Sequence, residues 1–419
     1  MVAEVRPGQT TRTSIWALMD QGIASLGSFG LQILLARSAT QVVYGTYALV
    51  WVGMLFVNNL HAAIITYPIS VKGHSTGPED RPVGVVHGVV LTLALFGPGA
   101  ALLLLAANLL GMTVPVWPVL CALMAWQIQE VFRRSLMARL SFKACIPGDL
   151  ISYPGQVVLL WVVSLRMPLT LPTVFYCMAA TSTIAAMVQL AQLRPALDVR
   201  GTGEALASCW RLGRWSFANN WISVFSVQAF IWAVAIRGGA GAAAAFQSLN
   251  NVMGVTHPVI IGIANAIVPT VARSNASEGI KSAVRRGLTF GLHGAALIVP
   301  YLIVLAVVPV LALELFYGRT SPYIALSGPI RWMCAAYLLM YTGQVAEACM
   351  NGLRQPKYAF LGQASALIPA ALVGLPLAAI YGVKGAAIGL LITNVTKTTA
   401  QITLLRNRMV AGLKHGHAS

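Results

Sequence analysis

The chain has 419 residues, of which 57% are hydrophobic and only 9% charged, with a mean hydropathy of +0.74. A soluble domain carries charge at about a quarter of its positions, so these figures exclude a soluble globular protein and make lipid the solvent. The net charge of +17 would suggest nucleic acid in a soluble protein, but here its distribution among loops matters more than its sum, and no nucleic-acid partner is expected.

A membrane-crossing helix needs about 20 mostly apolar residues. Taken in order, such runs fall at roughly 14 to 36, 46 to 68, 84 to 107, 115 to 133, 146 to 165, 169 to 191, 215 to 236, 246 to 270, 288 to 310, 329 to 351, 358 to 380 and 383 to 405. The expected fold class is an all-α polytopic membrane protein of about 12 transmembrane helices. Pro and Gly interrupt the pairs at 146 to 191 and 358 to 405. The first 13 residues are polar, and the apolar run after them is too long for a signal peptide and lacks a cleavage site, so the first span is expected to stay.

Basic residues fall almost entirely in alternate gaps. One set of loops carries Arg6 and Arg12, Lys72 and Arg81, then Arg133, Arg134, Arg139 and Lys143. It continues with Arg194, Arg200, Arg211 and Arg214, then Arg273, Lys281, Arg285 and Arg286, then Arg354 and Lys357, and ends with Arg406, Arg408 and Lys414. The opposite side receives Arg37, Arg166, Arg237, Arg319, Arg331 and Lys384, and Lys397 lies inside the last span. The positive-inside rule then puts both termini in the cytoplasm, which requires an even number of spans. Cys121, Cys177, Cys334 and Cys349 fall in spans and Cys145 and Cys209 in cytoplasmic loops. None stands where an oxidising compartment would pair it, and all six read as small packing residues.

The basic loop at 192 to 214 divides the chain into an N-terminal bundle, 14 to 191, and a C-terminal bundle, 215 to 405, between tails at 1 to 13 and 406 to 419. The bundles match each other. Gln127, Glu130 and Leu136 correspond to Gln344, Glu347 and Leu353, and Gln21, Ser25 and Ser28 to Asn219, Ser223 and Ser226. Each of these first helices closes on an arginine, Arg37 or Arg237. Six spans per half make both halves enter the membrane from the same side, so the expected architecture is two parallel six-helix bundles, an arrangement used by transporters.

A polar side chain facing hydrocarbon alone costs several kcal/mol, so polar stripes mark a protein interior or a wet cavity. Gln21, Ser25, Ser28 and Gln32 line one side of the first helix; Gln127, Glu130 and Arg134, and Gln344, Glu347, Asn351 and Arg354, do the same on the fourth and tenth. Asn58, Asn59 and His61 mark the second, Asn250, Asn251, His257 and Asn265 the eighth, and Asn394, Lys397 and Gln401 the twelfth. Interhelical hydrogen bonding suffices for single amides and hydroxyls. Glu347 and Lys397 lie about two turns or more from either membrane face and are the stronger functional candidates. Asp20 and Glu130 lie nearer the cytoplasm, where a salt bridge to Arg12, Arg133 or Arg134 is a sufficient account. His61, His87, His257 and His293 have no metal-site spacing and read as packing residues. No metal or cofactor is expected. With only 11 acids in the chain, an acidic cage for a cation is disfavoured, whereas Arg37, Arg237, Arg331 and Lys397 suit phosphate.

Asp20-Gln21 with Ser25, Leu35-Ala36-Arg37, the run Tyr44-Gly45-Thr46-Tyr47-Ala48-Leu49 and Pro68 resemble the start of the Wzx-type polysaccharide flippases. Asn351 to Ala359 and Arg133 to Phe142 resemble the matching ends of helices ten and four. These flippases belong to a MATE-like superfamily with the lipid II flippases and multidrug exporters. The resemblance implies a MATE-like pair of bundles that carries an undecaprenyl-diphosphate-linked oligosaccharide across a bacterial cytoplasmic membrane by alternating access, for exopolysaccharide or O-antigen synthesis. It implies membrane lipids, a polysaccharide polymerase and a co-polymerase as partners, and Arg37 as a contact for the diphosphate.

The expected substrate-binding residues are Arg37, Arg237, Lys397, Gln21 and Asn58, and the expected coupling residues for H⁺ or Na⁺ are Glu347, Asp20 and Glu130. No covalent chemistry is expected. One rival is a MATE-like multidrug or cation antiporter. The other is a membrane glycosyltransferase or polymerase, which needs a larger outer loop than 311 to 328, and the chain has no phosphate-binding loop, zinc motif or nucleophile elbow.

Overall fold

In a computed structural model the chain is described at residues 7–72, 84–109, 111, 113–139, 141–195 and 198–416, with the side chains of 7–15, 17–18, 71–72, 215–227 and 411–416 left out of account. The described residues are helical almost throughout and include no strand. Lipid offers backbone groups no partner, and a helix satisfies them within one segment.

The elements are α1 (Pro7–Ser38), α2 (Gln41–His61), α3 (Tyr67–Lys72), α4 (Val85–Leu91), α5 (Gly97–Leu109), α6 (Val116–Ala138), α7 (Phe142–Ser152), α8 (Pro154–Ser164) and α9 (Leu171–Leu193). They continue as α10 (Thr202–Gly254), α11 (His257–Val307), α12 (Pro309–Tyr317), α13 (Ser327–Gly352), α14 (Pro356–Ala364), α15 (Leu367–Pro369) and α16 (Leu375–Gly416). Single π-helical turns at Ala62–Thr66, Thr92–Phe96 and Ala370–Gly374 join α2 to α3, α4 to α5 and α15 to α16, and a 3₁₀ turn at Pro322–Leu326 leads into α13. Helix starts follow local chemistry. Thr40 and Thr170 accept the amides of Val43 and Thr173, and Pro opens α8, α12 and α14, where its missing N–H is no loss.

Seven of the described helical segments are long and apolar enough to cross a membrane. α6 and α13 fall outside that set. Three long helices each contain one non-helical glycine: Gly239 in α10 (φ 61°), Gly279 in α11 (φ 80°) and Gly382 in α16 (φ 60°). Each stands in a gap that the apolar pattern places between spans, where a reversal needs the left-handed backbone that glycine adopts without strain. The run at 146 to 165 is two helices, because Pro154 cannot give its amide to α7 and starts α8 instead.

Contacts divide the chain into Met1–Trp221 and Ile222–Ser419. In the first unit α6 lies along α9, while α1 runs beside α7 and α8. Gly27 permits that approach, since a Cβ there would stand 2.5 Å from Tyr153 Cβ and 2.7 Å from its backbone carbon. An apolar core at the α6 and α9 ends gathers Ile65, Ile69, Val131, Phe132, Leu136 and Leu193. His87 takes the Gly84 amide on Nδ1 at 3.2 Å and donates from Nε2 to the Arg200 carbonyl at 3.0 Å, tying α4 to the basic linker. In the second unit α13 lies between α11 and α16 in its contacts.

Candidate functional site

Glu130, Arg133 and Arg134 stand three and four residues apart, and this spacing sets them on one side of α6. Arg133 reaches three carboxylates. Its Nε meets Asp149 Oδ2 of α7 at 2.6 Å, its Nη2 meets Asp20 Oδ2 of α1 at 2.6 Å, and its Nη1 meets Glu130 Oε2 at 3.5 Å. Arg134 Nε holds the other oxygen of Glu130 at 2.6 Å. The side chains of Asp149, Asp20, Arg133 and Glu130 are 0%, 1%, 6% and 9% exposed, whereas Arg134 is 45% exposed. Charges so buried survive only with near-complete pairing. Asp149 Oδ1 has Gln189 Nε2 of α9 at 3.4 Å, in space left by Gly148, but Asp20 Oδ1 is buried with no hydrogen-bond partner.

The formal charges are unequal. Three carboxylates face two guanidiniums, which leaves the cluster one positive charge short. The unpartnered Asp20 oxygen is where a proton or a monovalent cation can supply that charge.

One helical turn beyond Asp149 a small chamber opens within the same unit, lined by Gln32, Tyr47, Trp51, Trp126, Ser152 and Gln156 among others. Trp51 stacks on Trp126 at 5.2 Å and on Tyr47 at 6.1 Å between ring centres. The space open to the centre of a water-sized sphere is about 20 Å³, room for a water or two. Gln32 Oε1, Tyr47 Oη and Gln156 Nε2 are buried there without partners. Ser152, in the chamber wall, donates to Gln129 Oε1 at 2.7 Å.

The second unit has its own pair. Glu347 Oε2 of α13 accepts from Gln401 Nε2 of α16 at 2.9 Å. Gln401 fits because Gly343 and Gly362 face it: a Cβ on Gly362 would stand 2.5 Å from Gln401 Cγ. Lys397, one turn before Gln401, is 8% exposed, senses Glu347 electrostatically and forms no ion pair within 4.0 Å among the described residues.

Of the residues expected from sequence, Asp20 and Glu130 are brought together on Arg133, and in the second unit Glu347 is bonded to Gln401, one turn beyond Lys397 on α16. Arg37 and Arg237 are exposed near helix ends, and Arg331 Nε donates to Ala306 O at 3.0 Å. Gln21 is exposed and its amide reaches Ser25 at 3.3 Å, while Asn58 Oδ1 is buried without a partner. Arg12 and the repeat positions Asn219, Ser223 and Ser226 lie outside the described side chains. Asp149 was not expected. Its signal was the series Asp149, Ser152 and Gln156, a polar face on an otherwise apolar run.

No family model matches the chain, and no curated protein does. Solved structures do. A multidrug resistance MATE family transporter of the MOP superfamily in an inward-facing conformation superposes with a TM-score of 0.72 at 16% identity, over 93% of this chain and 96% of the other. An outward-facing structure of such a transporter gives 0.64 at 15% identity, over 96% of both chains. A MOP superfamily transporter from Pyrococcus furiosus Vc1, described as having a binding pocket of reverse polarity that suggests a different function, gives 0.66 at 15% identity, over 96% of this chain and 95% of that one. The fold is therefore that of the MATE-like transporters, as expected for an all-α membrane protein of this plan.

Proposed function

We propose that this chain is an ion-coupled transporter working by alternating access, and that the Asp20, Arg133 and Asp149 cluster is where the coupling proton is taken up and released. The observation that carries this reading is the missing positive charge beside an unpartnered Asp20 oxygen. With the proton bound, Asp20 and Asp149 share one negative charge on Arg133, and α1 and α7 are held together. Without it two full carboxylates compete for the same guanidinium, and like charges at such distance repel. Protonation thus biases how α1 sits on α7 and α8, the helices that wall the chamber. Glu347 in the second unit is the other coupling candidate, with Na⁺ the alternative ion.

The cargo that suits the structural neighbours is an amphipathic organic solute, exported by a MATE-like antiporter. A second cargo reading, the lipid-linked oligosaccharide of a polysaccharide flippase in a bacterial inner membrane, is favoured by charge: every buried acid of the first-unit cluster is already held by arginine, and the buried Lys397 has no carboxylate within 4.0 Å among the described residues. In that reading Arg37, Arg237 and Lys397 meet the diphosphate, and a polymerase and co-polymerase receive the product. The test is direct. Proteoliposomes carrying a pH gradient are assayed for ethidium accumulation and, separately, for exposure of an undecaprenyl-diphosphate-linked oligosaccharide. Gradient-driven ethidium movement supports the antiporter, gradient-driven oligosaccharide exposure supports the flippase, and failure of the gradient to drive either rejects coupled transport of these cargoes.

A further inference from the structure

His61 ends α2 and is 0% exposed, with Phe96 edge-on at 5.1 Å. Its ring is not merely filling space. Nε2 lies 2.8 Å from Thr92 Oγ1, and the Thr92 hydroxyl gives its own proton to Gly88 O at 2.7 Å. A hydroxyl has one proton to donate. Having spent it on Gly88, Thr92 must accept from His61, which fixes the ring's proton on Nε2. Nδ1 is then a bare lone pair, and it is buried without any partner. A buried neutral imidazole with one nitrogen donating and the other vacant is a seat for a proton, since protonation at Nδ1 forms an N–H bond without disturbing the bond to Thr92.

The surroundings fit that role. The charged group that acts on the ring is Glu130 of α6, whose partners are Arg133 and Arg134. Beyond it stand Asp20 on α1 and Asp149 on α7, both on Arg133. α2 brings Tyr44 and Tyr47, α9 brings Tyr176 and Cys177, none of them an acid or a base that is charged at neutral pH; α4 and α5 bring only His87, α10 also carries Cys209, and the side chain of Lys72 in α3 lies outside the described set. Early in α10 come Glu204, Arg211 and Arg214. The position in the backbone also matters. His61 directly precedes the π-helical turn Ala62–Thr66, and Thr92 opens the π-helical turn Thr92–Phe96, so one side-chain bond joins the two places where these spans change helical type. Such turns recur at functional sites. The helix that carries the basic linker comes close at the same point: a Cβ on Gly213 would stand 2.5 Å from Ala63 O.

We propose that His61 is a second proton-accepting residue of the transport cycle, its Nδ1 exchanging a proton with the Asp20, Glu130, Arg133 and Asp149 cluster. The proposal rests on the coupling reading above. In the exchange a carboxyl O–H bond of the cluster breaks and an Nδ1–H bond forms, so the negative charge returns to the cluster as the imidazolium appears. The charge on α2 then changes at the π-helical turn, where a shift of the helix beyond it requires the least rearrangement.

The test uses the full-length protein, ¹⁵N-labelled at histidine, in lipid nanodiscs, with the His61 resonances identified by their loss in His61→Gln. The expected result is a neutral ring protonated on Nε2 at high pH, which gains a proton on Nδ1 as the pH is lowered across the range in which the protein stays folded. In Glu130→Gln, where the nearby negative charge is gone, that step moves to lower pH. Thr92→Val removes the acceptor, and the ring is expected to populate both neutral tautomers. A proton on Nδ1 at high pH, or a ring that stays neutral through the whole range, overturns the proposal. Proton uptake by the same nanodiscs in weak buffer separates the two claims: Asp20→Asn should take up about one proton fewer than the parent. Unchanged uptake with a normal His61 titration overturns the cluster as coupling site and supports the His61 seat by itself.

Discussion

Asp20 and Asp149 are joined through one side chain: each sets an oxygen 2.6 Å from a different nitrogen of the Arg133 guanidinium, so α1 and α7 are linked by a single cation supplied by α6. The planar fork of arginine makes this arrangement possible, because one charge carries several N–H donors at fixed positions.

The first prediction concerns which partner matters most for folding. Arg133→Gln strands two buried carboxylates, Asp20 and Asp149, while Glu130 keeps Arg134, and should cost about 3 to 5 kcal/mol, whereas Asp20→Asn removes negative charge from a cluster that has one too many and should cost less. Thermal unfolding in detergent checks the order. Asp20→Asn unfolding as readily as Arg133→Gln would contradict the charge count.

Gly27 provides a purely steric prediction. The atoms a new Cβ would meet include the Tyr153 backbone and Pro154 N at 2.8 Å, which cannot swing aside as a flexible side chain does. Gly27→Ala should destabilise by about 1 to 3 kcal/mol and displace α1 from the chamber wall. Gly22, where a Cβ meets nothing within 4 Å, is the control, and Gly22→Ala should unfold at the parent's temperature or slightly above it.

In the second unit, Lys397→Met should cost less in a Glu347→Gln background than in the parent protein, because Glu347 is bonded to Gln401, one turn from Lys397 on α16. A double-mutant cycle on thermal stability should return a coupling of about 0.5 to 3 kcal/mol. Zero coupling would separate the two residues. If Lys397 also meets an anionic cargo, Lys397→Ala and Arg37→Ala lower export at unchanged protein levels, and Arg37→Lys rescues only part of it.

Topology is checked with an impermeant thiol reagent on intact cells, after the six free cysteines are replaced. Cysteines introduced near 140 and 205 should be protected and one near 320 labelled. Equal labelling of all three would overturn the assignment of sides.

The helices and their turns were legible in the sequence because lipid leaves the backbone few choices, and Gly239, Gly279 and Gly382 stand in gaps that the apolar runs already mark. Asp20 and Glu130 were legible as intramembrane acids near basic residues. Their sharing of Arg133 was not, since nothing in the spacing of α1 relative to α6 reveals which guanidinium an acid reaches. Asp149 escaped notice because its neighbours are apolar and its polar face continues across the break at Pro154 into Gln156. The chamber was invisible for a similar reason: Gln32, Tyr47, Trp126 and Gln156 come from separate helices and converge only in three dimensions. His61 shows the remaining limit. Its sequence context suits packing, and only the proton count at Thr92 exposes the vacant Nδ1.

The central claim is that the first-unit cluster couples an ion to transport. The most direct measurement is the response of proteoliposomes to an imposed pH gradient in the parent protein, Asp20→Asn and Asp149→Asn, with ethidium and an undecaprenyl-diphosphate-linked oligosaccharide each offered as cargo. The account predicts that the gradient drives one of these cargoes in the parent and that both variants still exchange it at equal pH but no longer respond to the gradient. A full gradient response in both variants would contradict it.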